Sequence, residues 1–327
     1  MNFRLRIGSR PSALALAQAN LVKAQIETAL PGVTAEIVAV STSGDKLTTA
    51  SLARIGGKGL FIRELEQALS SGRIDLAVHS MKDLPAVLPA EYRLAAVPLR
   101  ENPRDALISR DGLTGRASGV WEALTRGARL GTSSTRRRFE ALRMRPDLKI
   151  EPLRGNVDTR LARLAAGDFD AIILAMAGLK RLGKLDGLTF VELDEYDFVP
   201  SGGQGALALE ALADGAIGGA AEIEAAIAGL NDPRALAEVT AERAFLAAIG
   251  ASCVSPVGVK GSLTDAALNL RALLFSADGS RHLDDEFNAP FAIGSNLGQV
   301  TAAAGAIGAA LGQRMIERGA RELIENA

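Results

Sequence analysis

Cysteine occurs once in these 327 residues, tryptophan once, histidine twice and tyrosine twice. The lone Cys253 rules out an intrachain disulfide. With His79 and His282 it makes too poor a ligand set for zinc, so no metal site is expected. So few aromatics leave little surface on which bases could stack, which argues against a single-strand nucleic-acid binder. Neither charge sign dominates: 37 Lys/Arg face 38 Asp/Glu, a net of −1. The whole chain therefore has no pull toward nucleic acid or an anionic membrane. No apolar run is long enough to span a bilayer. The stretch Met1–Arg10 carries three arginines and no apolar core, unlike a signal peptide. These absences read as a cytoplasmic protein. What remains is an ordinary globular composition, 48% hydrophobic and 23% charged, long enough for two or three domains.

Strand and helix patterns alternate over the first hundred residues. Phe3–Gly8, Ala35–Val40 and Ile74–Val78 read as strands; Ser12–Leu30 and Leu60–Ser70 read as helices. Leu60, Ile62, Leu65, Ala68 and Leu69 mark the apolar stripe of the second helix. Such alternation predicts a largely parallel, doubly wound sheet. The pattern breaks near Pro98 and Pro103. A second α/β segment follows, with strands at Arg129–Gly131, Lys149–Pro152 and Ala171–Leu174 and helices near Ser134–Met144 and Val157–Ala166. Val199–Gly205 reads as a second linker or a ligand loop. Two linkers flanking one α/β unit predict two lobes, a double crossover and a cleft between them. From about Asn231 the character changes to α+β, with helices at Pro233–Ile249 and Leu297–Ile324 around three short strands. The Ala- and Gly-rich stretches 211–228 and 302–310 read as loosely specified surface helices.

The stretch His79-Ser-Met-Lys-Asp-Leu-Pro85 follows an apolar strand, at the sheet end where α/β proteins bind ligands. It offers either a turn of solvated charges closed by Pro85, or an acid, Asp83, and a cation, Lys82, at a cleft mouth. Between Arg126 and Arg163 eleven Lys/Arg face four Asp/Glu, a local net of +7. Much of that charge sits at strand-to-helix turns, Gly131–Arg138 and Leu153–Arg160. Hydroxyl residues at a helix start, followed by forked arginine donors, make a carboxylate or phosphate cradle; a solvated basic face is the alternative. Gly8-Ser-Arg-Pro-Ser12 repeats the arrangement. Gly56-Gly-Lys-Gly59 lacks P-loop spacing. Cys253, in a Gly/Pro-bounded polar loop, is either an accessible nucleophile or a small buried hydrophobe.

Together these motifs resemble the porphobilinogen deaminase (hydroxymethylbilane synthase) family. The matches are Gly8-Ser-Arg-x-Ser-x-Leu-Ala, Thr42-Ser-Gly-Asp45, Gly56–Phe61, His79–Pro85, Gly131–Ser134 with Arg136-Arg137, Leu153-Arg-Gly-Asn156 through Arg160, Ala175–Leu182, Gly203-Gln-Gly-Ala206, and the Ala241–Ala244 helix leading to Cys253. Their order and spacing run almost the whole length. The chain departs from the family pattern at Ser252, where many members have glycine, and at Arg54, where some have lysine.

The resemblance implies an α/β fold of two doubly wound lobes, periplasmic-binding-protein-like, with a small α+β C-terminal domain. Residues 1–100 with 200–225, 101–199 and 226–327 would form the three units. It implies a transferase that joins four porphobilinogen molecules head to tail, releases ammonia and yields hydroxymethylbilane. A dipyrromethane cofactor would be held by a thioether to Cys253 and bound by Lys82, Ser134, Arg136, Arg137, Arg154 and Arg160. Arg10, Ser12, Lys58, Ser80 and Arg181 would bind substrate, and Asp83 would act as acid/base. The implied protein is a cytoplasmic monomer whose partner is the small-molecule substrate, with neither nucleic acid nor membrane involved. A non-catalytic two-lobed anion binder is the competing reading; it leaves Asp83 beside Lys82, and the loop cysteine, without a purpose.

Overall fold

Three sheets organise the chain, and two of them share one plan. The computed structural model describes residues 3–41, 62–111, 119–252, 254–294 and 296–325. The first sheet has the order β2-β1-β3-β10-β4, from β1 (Phe3–Ser9), β2 (Val33–Ala39), β3 (Leu76–Ser80), β4 (Tyr92–Ala96) and β10 (Leu207–Leu212). β1 runs parallel to β2 and β3, and β10 lies antiparallel between β3 and β4. The second sheet has the order β7-β6-β8-β5-β9, from β5 (Asp105–Ser109), β6 (Arg129–Gly131), β7 (Lys149–Glu151), β8 (Ala171–Ala175) and β9 (Phe190–Glu192). Here β6 is parallel to β7 and β8, and β5 is antiparallel to β8 and β9. In each sheet the antiparallel inner strand adjoins a crossover: β5 follows the first and β10 ends the second.

Helices cover both faces of each sheet. α1 (Ala13–Ala29) starts where Ser12 accepts from the Ala15 N–H, and it buries Ala19, Val22 and Ile26 against Leu5, Ile7 and Leu76. α2 (Arg63–Ser70) buries Leu65, Ala68 and Leu69 on the opposite face, with Ile74 and Ala77. In the second lobe, α3 (Thr135–Met144) lies on one face, while α4 (Val157–Ala165) and α5 (Met176–Arg181) lie on the other with Phe169 and Leu174.

The third unit is an antiparallel sheet of β11 (Val257–Leu263), β12 (Ala267–Phe275) and β13 (His282–Pro290). Over it pack α7 (Pro233–Ile249), α8 (Leu297–Glu317) and α9 (Ala320–Glu325), while α6 (Ala221–Ala228) belongs to the first lobe. α7 opens with Asp232 accepting from Ala235 N at 2.7 Å and Pro233 in its first turn. It is buried nearly all round. Ala237, Ala241 and Phe245 join the third core, and Ala235, Leu236 and Val239 pack on Met81, Leu84, Val97 and Ala206 from the first lobe. Among the described residues no helix is long and apolar enough to cross a membrane.

The structure differs from the sequence pattern at several points. β3 runs two residues beyond the expected strand end, so His79 and Ser80 lie within it. The proline-broken region around 98–105 gives way to β5 at Asp105, and the stretch after Gly205 forms β10. The 211–228 and 302–310 stretches are exposed over much of their length, but their inner faces are closely packed. Ile223 and Ile227 are fully buried, and Gly308 and Gly312 let α8 approach α7 closely. A Cβ on Gly308 would stand 2.1 Å from the Ala241 carbonyl oxygen, so the small residues are the packing surface. The last helix breaks at Arg318–Gly319, separating α8 from α9.

Candidate functional site

Two cavities open at the C-terminal ends of parallel strands, one in each lobe. The first, of about 220 Å³, is lined by Gly131, Thr132, Ser133, Ser134, Arg137, Leu153, Arg160 and Ile173. Its lining contains cations, hydroxyls and apolar groups and no carboxylate. β6 ends at its mouth and α3 begins there, with Ser134 as cap accepting from the Arg137 N–H. Thr132 Oγ1 accepts from the Ser134 N–H at 3.2 Å, which shapes the turn. The smaller cavity, of about 70 Å³, is lined by Arg10, Ser12, Gln18, His79, Ser80 and Asp83 among others. Gln18 and Ser80 exchange hydrogen bonds at 3.0 and 3.2 Å. Asp83, exposed, ends the single helical turn Met81–Asp83 that follows β3.

Beneath the larger cavity lies a buried ionic cluster centred on Asp105. Arg136 Nη2 and Arg137 Nη2 each donate to one of its oxygens at 2.7 Å. Burial alone would raise the Asp105 pKa, but Arg137 and Arg136 hold it well below the usual carboxylate range. Arg136 also donates to Glu140 Oε2 and to the Val199 carbonyl, both at 2.8 Å. Burial, reinforced by Asp105, pushes the Glu140 carboxyl up to about 8 against the pull of Arg136. Arg137 donates further to the Ile173 carbonyl at 3.1 Å, and its buried Nε has no hydrogen-bond partner among the described residues.

Lys82 faces this cluster from the first lobe and donates to Gln204 Oε1 at 3.1 Å. Burial, then the positive field of Arg137, pushes its ammonium down to about 8. Arg160 donates through Nε to the Gly155 carbonyl at 2.8 Å. Burial and then Arg137 lower its pKa to about 10, which leaves a cation at neutral pH.

The site residues named from sequence divide by position. Ser134, Arg137 and Arg160 line one cavity; Arg10, Ser12, Ser80 and Asp83 line the other. Arg154 is half-buried on the turn before α4, next to Leu153 of the first cavity. Arg181 donates to the Gly205 carbonyl at 2.7 Å, and burial lowers its pKa against the opposing field of Glu101. Arg136 lies beneath the larger cavity and is not among its lining residues. It is 4% exposed and engaged with Asp105, Glu140 and Val199, so it faces the protein interior rather than a cavity. Lys58 and Cys253 lie outside the described residues. The chain on either side of the cysteine is described: Ser252 N donates to Ser255 Oγ at 3.0 Å, and Thr135 Oγ1 donates to the Val254 carbonyl at 2.8 Å. That second bond ties the cysteine loop to the first residue of α3, beside the larger cavity.

Sequence reasoning missed Asp105, Glu140, Gln204 and the buried His79–Glu210 pair, whose Nε2 and Oε2 stand 2.8 Å apart. Gln204 and His79 stood within motifs, Gly203-Gln-Gly and His79–Pro85; Asp105, Glu140 and Glu210 stood in none.

The model of the family described as "Porphobilinogen deaminase, dipyromethane cofactor binding domain" matches residues 5–217, and that of its C-terminal domain matches 236–316. The chain belongs to the porphobilinogen deaminase family. A porphobilinogen deaminase of Roseiflexus sp. is 44% identical over 325 residues, 99% of both chains. That of Syntrophobacter fumaroxidans is 42% identical over 321 residues, 98% of this chain and 97% of its own. The enzyme of Chromobacterium violaceum is 43% identical over 321 residues, with the same shares. The family's cofactor domain takes in both cavities, the Asp105 cluster and Lys82, and the C-terminal domain carries the cysteine loop.

Proposed function

We propose that Asp83 performs the acid/base work of this chain while Lys82, Arg137 and Arg160, with Ser134, hold the anionic pyrrole chain beside it. The reaction is that of a porphobilinogen deaminase, a transferase: four porphobilinogen molecules are joined head to tail, ammonia is released, and the linear tetrapyrrole hydroxymethylbilane is formed. The observation that carries the residue assignment is the acid-free cavity at the start of α3. Arginines and hydroxyls supply its polar lining, and Arg137 keeps a buried Nε without a hydrogen-bond partner among the described residues.

That donor set fits dipyrromethane, whose acetate and propionate groups are carboxylates. Ser134, Arg137, Arg154 and Arg160 would hold them, with Lys82 as a point charge and Cys253 as the covalent attachment. When bound, dipyrromethane supplies the free pyrrole carbon from which the chain is extended. Arg136 supports this cradle from below, by fixing Asp105. Arg10, Ser12, Ser80, Arg181 and Lys58 would receive the incoming porphobilinogen.

At each addition the C–N bond of the substrate aminomethyl group breaks and its electron pair leaves with ammonia. The carbon left behind is cationic and conjugated with the ring. Asp83 stabilises that developing charge as an anion at the lining of the first-lobe cavity. A C–C bond then forms and the attacked ring carbon loses a proton. Asp83 is the base that takes this proton and passes it to the departing ammonia, so each coupling releases one ammonium ion.

Residues 1–100 with 200–225, 101–199 and 226–327 are assigned to the first lobe, second lobe and C-terminal domain, a division the sheet memberships support. The chain is read as a cytoplasmic monomer without a nucleic-acid partner; its near-neutral charge supports the last of these.

The deciding experiment is the intact mass of the denatured chain beside its Cys253→Ala variant. An added mass of two porphobilinogen-derived rings, absent in the variant, is expected. If no adduct appears at Cys253 even after incubation with porphobilinogen, the assignment of that residue fails.

A further inference from the structure

Gln204 lies in the second crossover and is 1% exposed. Its amide oxygen accepts from Lys82 Nζ at 3.1 Å. Its amide nitrogen donates to the Pro103 carbonyl at 2.7 Å and to Asp105 Oδ1 at 2.9 Å. Its backbone carbonyl accepts from Arg100 Nε at 3.0 Å. An ammonium can only donate, and a carbonyl or ionised carboxylate can only accept, so the partners fix the orientation of the amide. One side chain thereby joins the turn after β3, the first crossover and the start of β5.

We propose that Gln204 is a positioning residue that sets the Lys82–Asp83 turn against the Asp105–Arg137 anchor. The inference rests on the reading that these groups serve one site. A primary amide meets both demands in that space. A carboxylate would lose both donated bonds and stand against Asp105; an ammonium or guanidinium would lose the acceptor facing Lys82. The amide also holds Lys82 without neutralising it. A carboxylate there would pair with the ammonium and compete with the anionic substrate for it. The next residue is held just as closely. Gly205 has φ +89°, and a Cβ there would stand 2.2 Å from the Glu101 carbonyl oxygen, so the amide is delivered from a backbone that glycine alone allows.

The test compares wild type, Gln204→Met and Gln204→Glu as cofactor-loaded chains, with loading checked by intact mass and folding by thermal melting. Porphobilinogen consumption is followed from about pH 6 to 9, bracketing the Lys82 titration. Methionine keeps the volume and removes all three side-chain bonds. Gln204→Met should load cofactor yet lose about 10- to 100-fold in kcat, the scale of a lost charge-assisted hydrogen bond. Its alkaline limb should move to lower pH, because Lys82 loses an acceptor for its charged form. In Gln204→Glu a protonated carboxyl can still donate one bond and accept another. Its activity relative to wild type should therefore rise as the pH falls. Wild-type kcat and pH profile in Gln204→Met would overturn the inference. So would equal losses at every pH in both variants, the mark of a structural role alone. If Asp83→Ala abolishes turnover while Gln204→Met retains it, only this inference fails. If the loaded wild type does not consume porphobilinogen, the functional reading falls and this inference with it.

Discussion

Arg137 Nη2 donates to Asp105 Oδ1 at 2.7 Å, joining a cavity-lining cation on α3 to a fully buried carboxylate at the start of β5. The other Asp105 oxygen holds Arg136, so one acid orients two consecutive arginines. Without it, two buried guanidinium groups would repel each other.

Asp105→Asn should therefore cost about 3–5 kcal/mol of stability at neutral pH, the usual penalty for breaking a buried ion pair. The dependence on pH follows from the depressed Asp105 pKa. The carboxylate contributes fully above its unfolded pKa of about 3.9 and progressively less as the pH falls below that value. Urea denaturation of both proteins should show a gap at pH 7 that narrows below about pH 4. A gap independent of pH would mean that the charge of Asp105 contributes nothing.

Lys82 should impose two opposite trends above pH 8. Its folded pKa of about 8 lies below the ordinary lysine value, so the unfolded chain binds more protons from there up to about pH 10. Wild-type stability relative to Lys82→Met should rise across that window. Release of the growing pyrrole chain should rise as well, because the neutral amine no longer attracts its carboxylates. Lys82→Arg keeps the charge and should flatten that rise. Parallel denaturation and kinetic titrations check both trends.

Arg160 is half-buried, and its Nε donates to the local Gly155 carbonyl. Arg160→Ala should leave the melting temperature within about 2 °C of wild type, since little packing is lost. It should weaken cofactor retention or substrate binding by about 10- to 100-fold, the scale of a charge-assisted contact. Intact mass and steady-state kinetics read the two effects separately.

Two glycines of α8 should respond with opposite signs. Gly308→Ala sets a methyl against the Ala241 carbonyl of α7 and should destabilise by about 1–3 kcal/mol despite the better helix former. A Cβ on Gly305 would lie 3.9 Å from Thr240 Cγ2, an ordinary contact. Gly305→Ala should thus stabilise by up to about 1 kcal/mol. Chemical denaturation of the pair checks the contrast.

The parallel strands and their ligand-bearing ends were legible in the sequence because periodicity and turn chemistry are local. Ser12 and Ser134 precede their helices and cap them, and Asp83 follows an apolar strand into a cavity lining. The antiparallel insertions were not legible. β5 begins two residues after Pro103, and β10 follows a glycine-rich loop; both take their strand identity from neighbours about a hundred residues away or more in β10 and over sixty away in β5. Arg136 looked like its neighbour Arg137 because one sequence position separates them. On a helix that step turns the side chain by about 100°, toward Glu140 and Val199 and away from the cavity. Asp105 gave no signal because its partners lie 31, 32 and 99 positions away.

The placement of β10 between β3 and β4 sets an order of events on the ribosome. Among the described residues β4 pairs only with β10, so the amino-terminal sheet is incomplete until residues 207–212 have left the exit tunnel. At ordinary synthesis rates the roughly 110 residues between the two strands take about 5–20 s to make. Through that interval β3 and β4 each lack the partner that β10 supplies. The second lobe, whose strands all lie between residues 105 and 192, can close its own sheet first. Nascent chains should therefore gain native structure from the middle outward, with the amino-terminal end among the last parts to become protected.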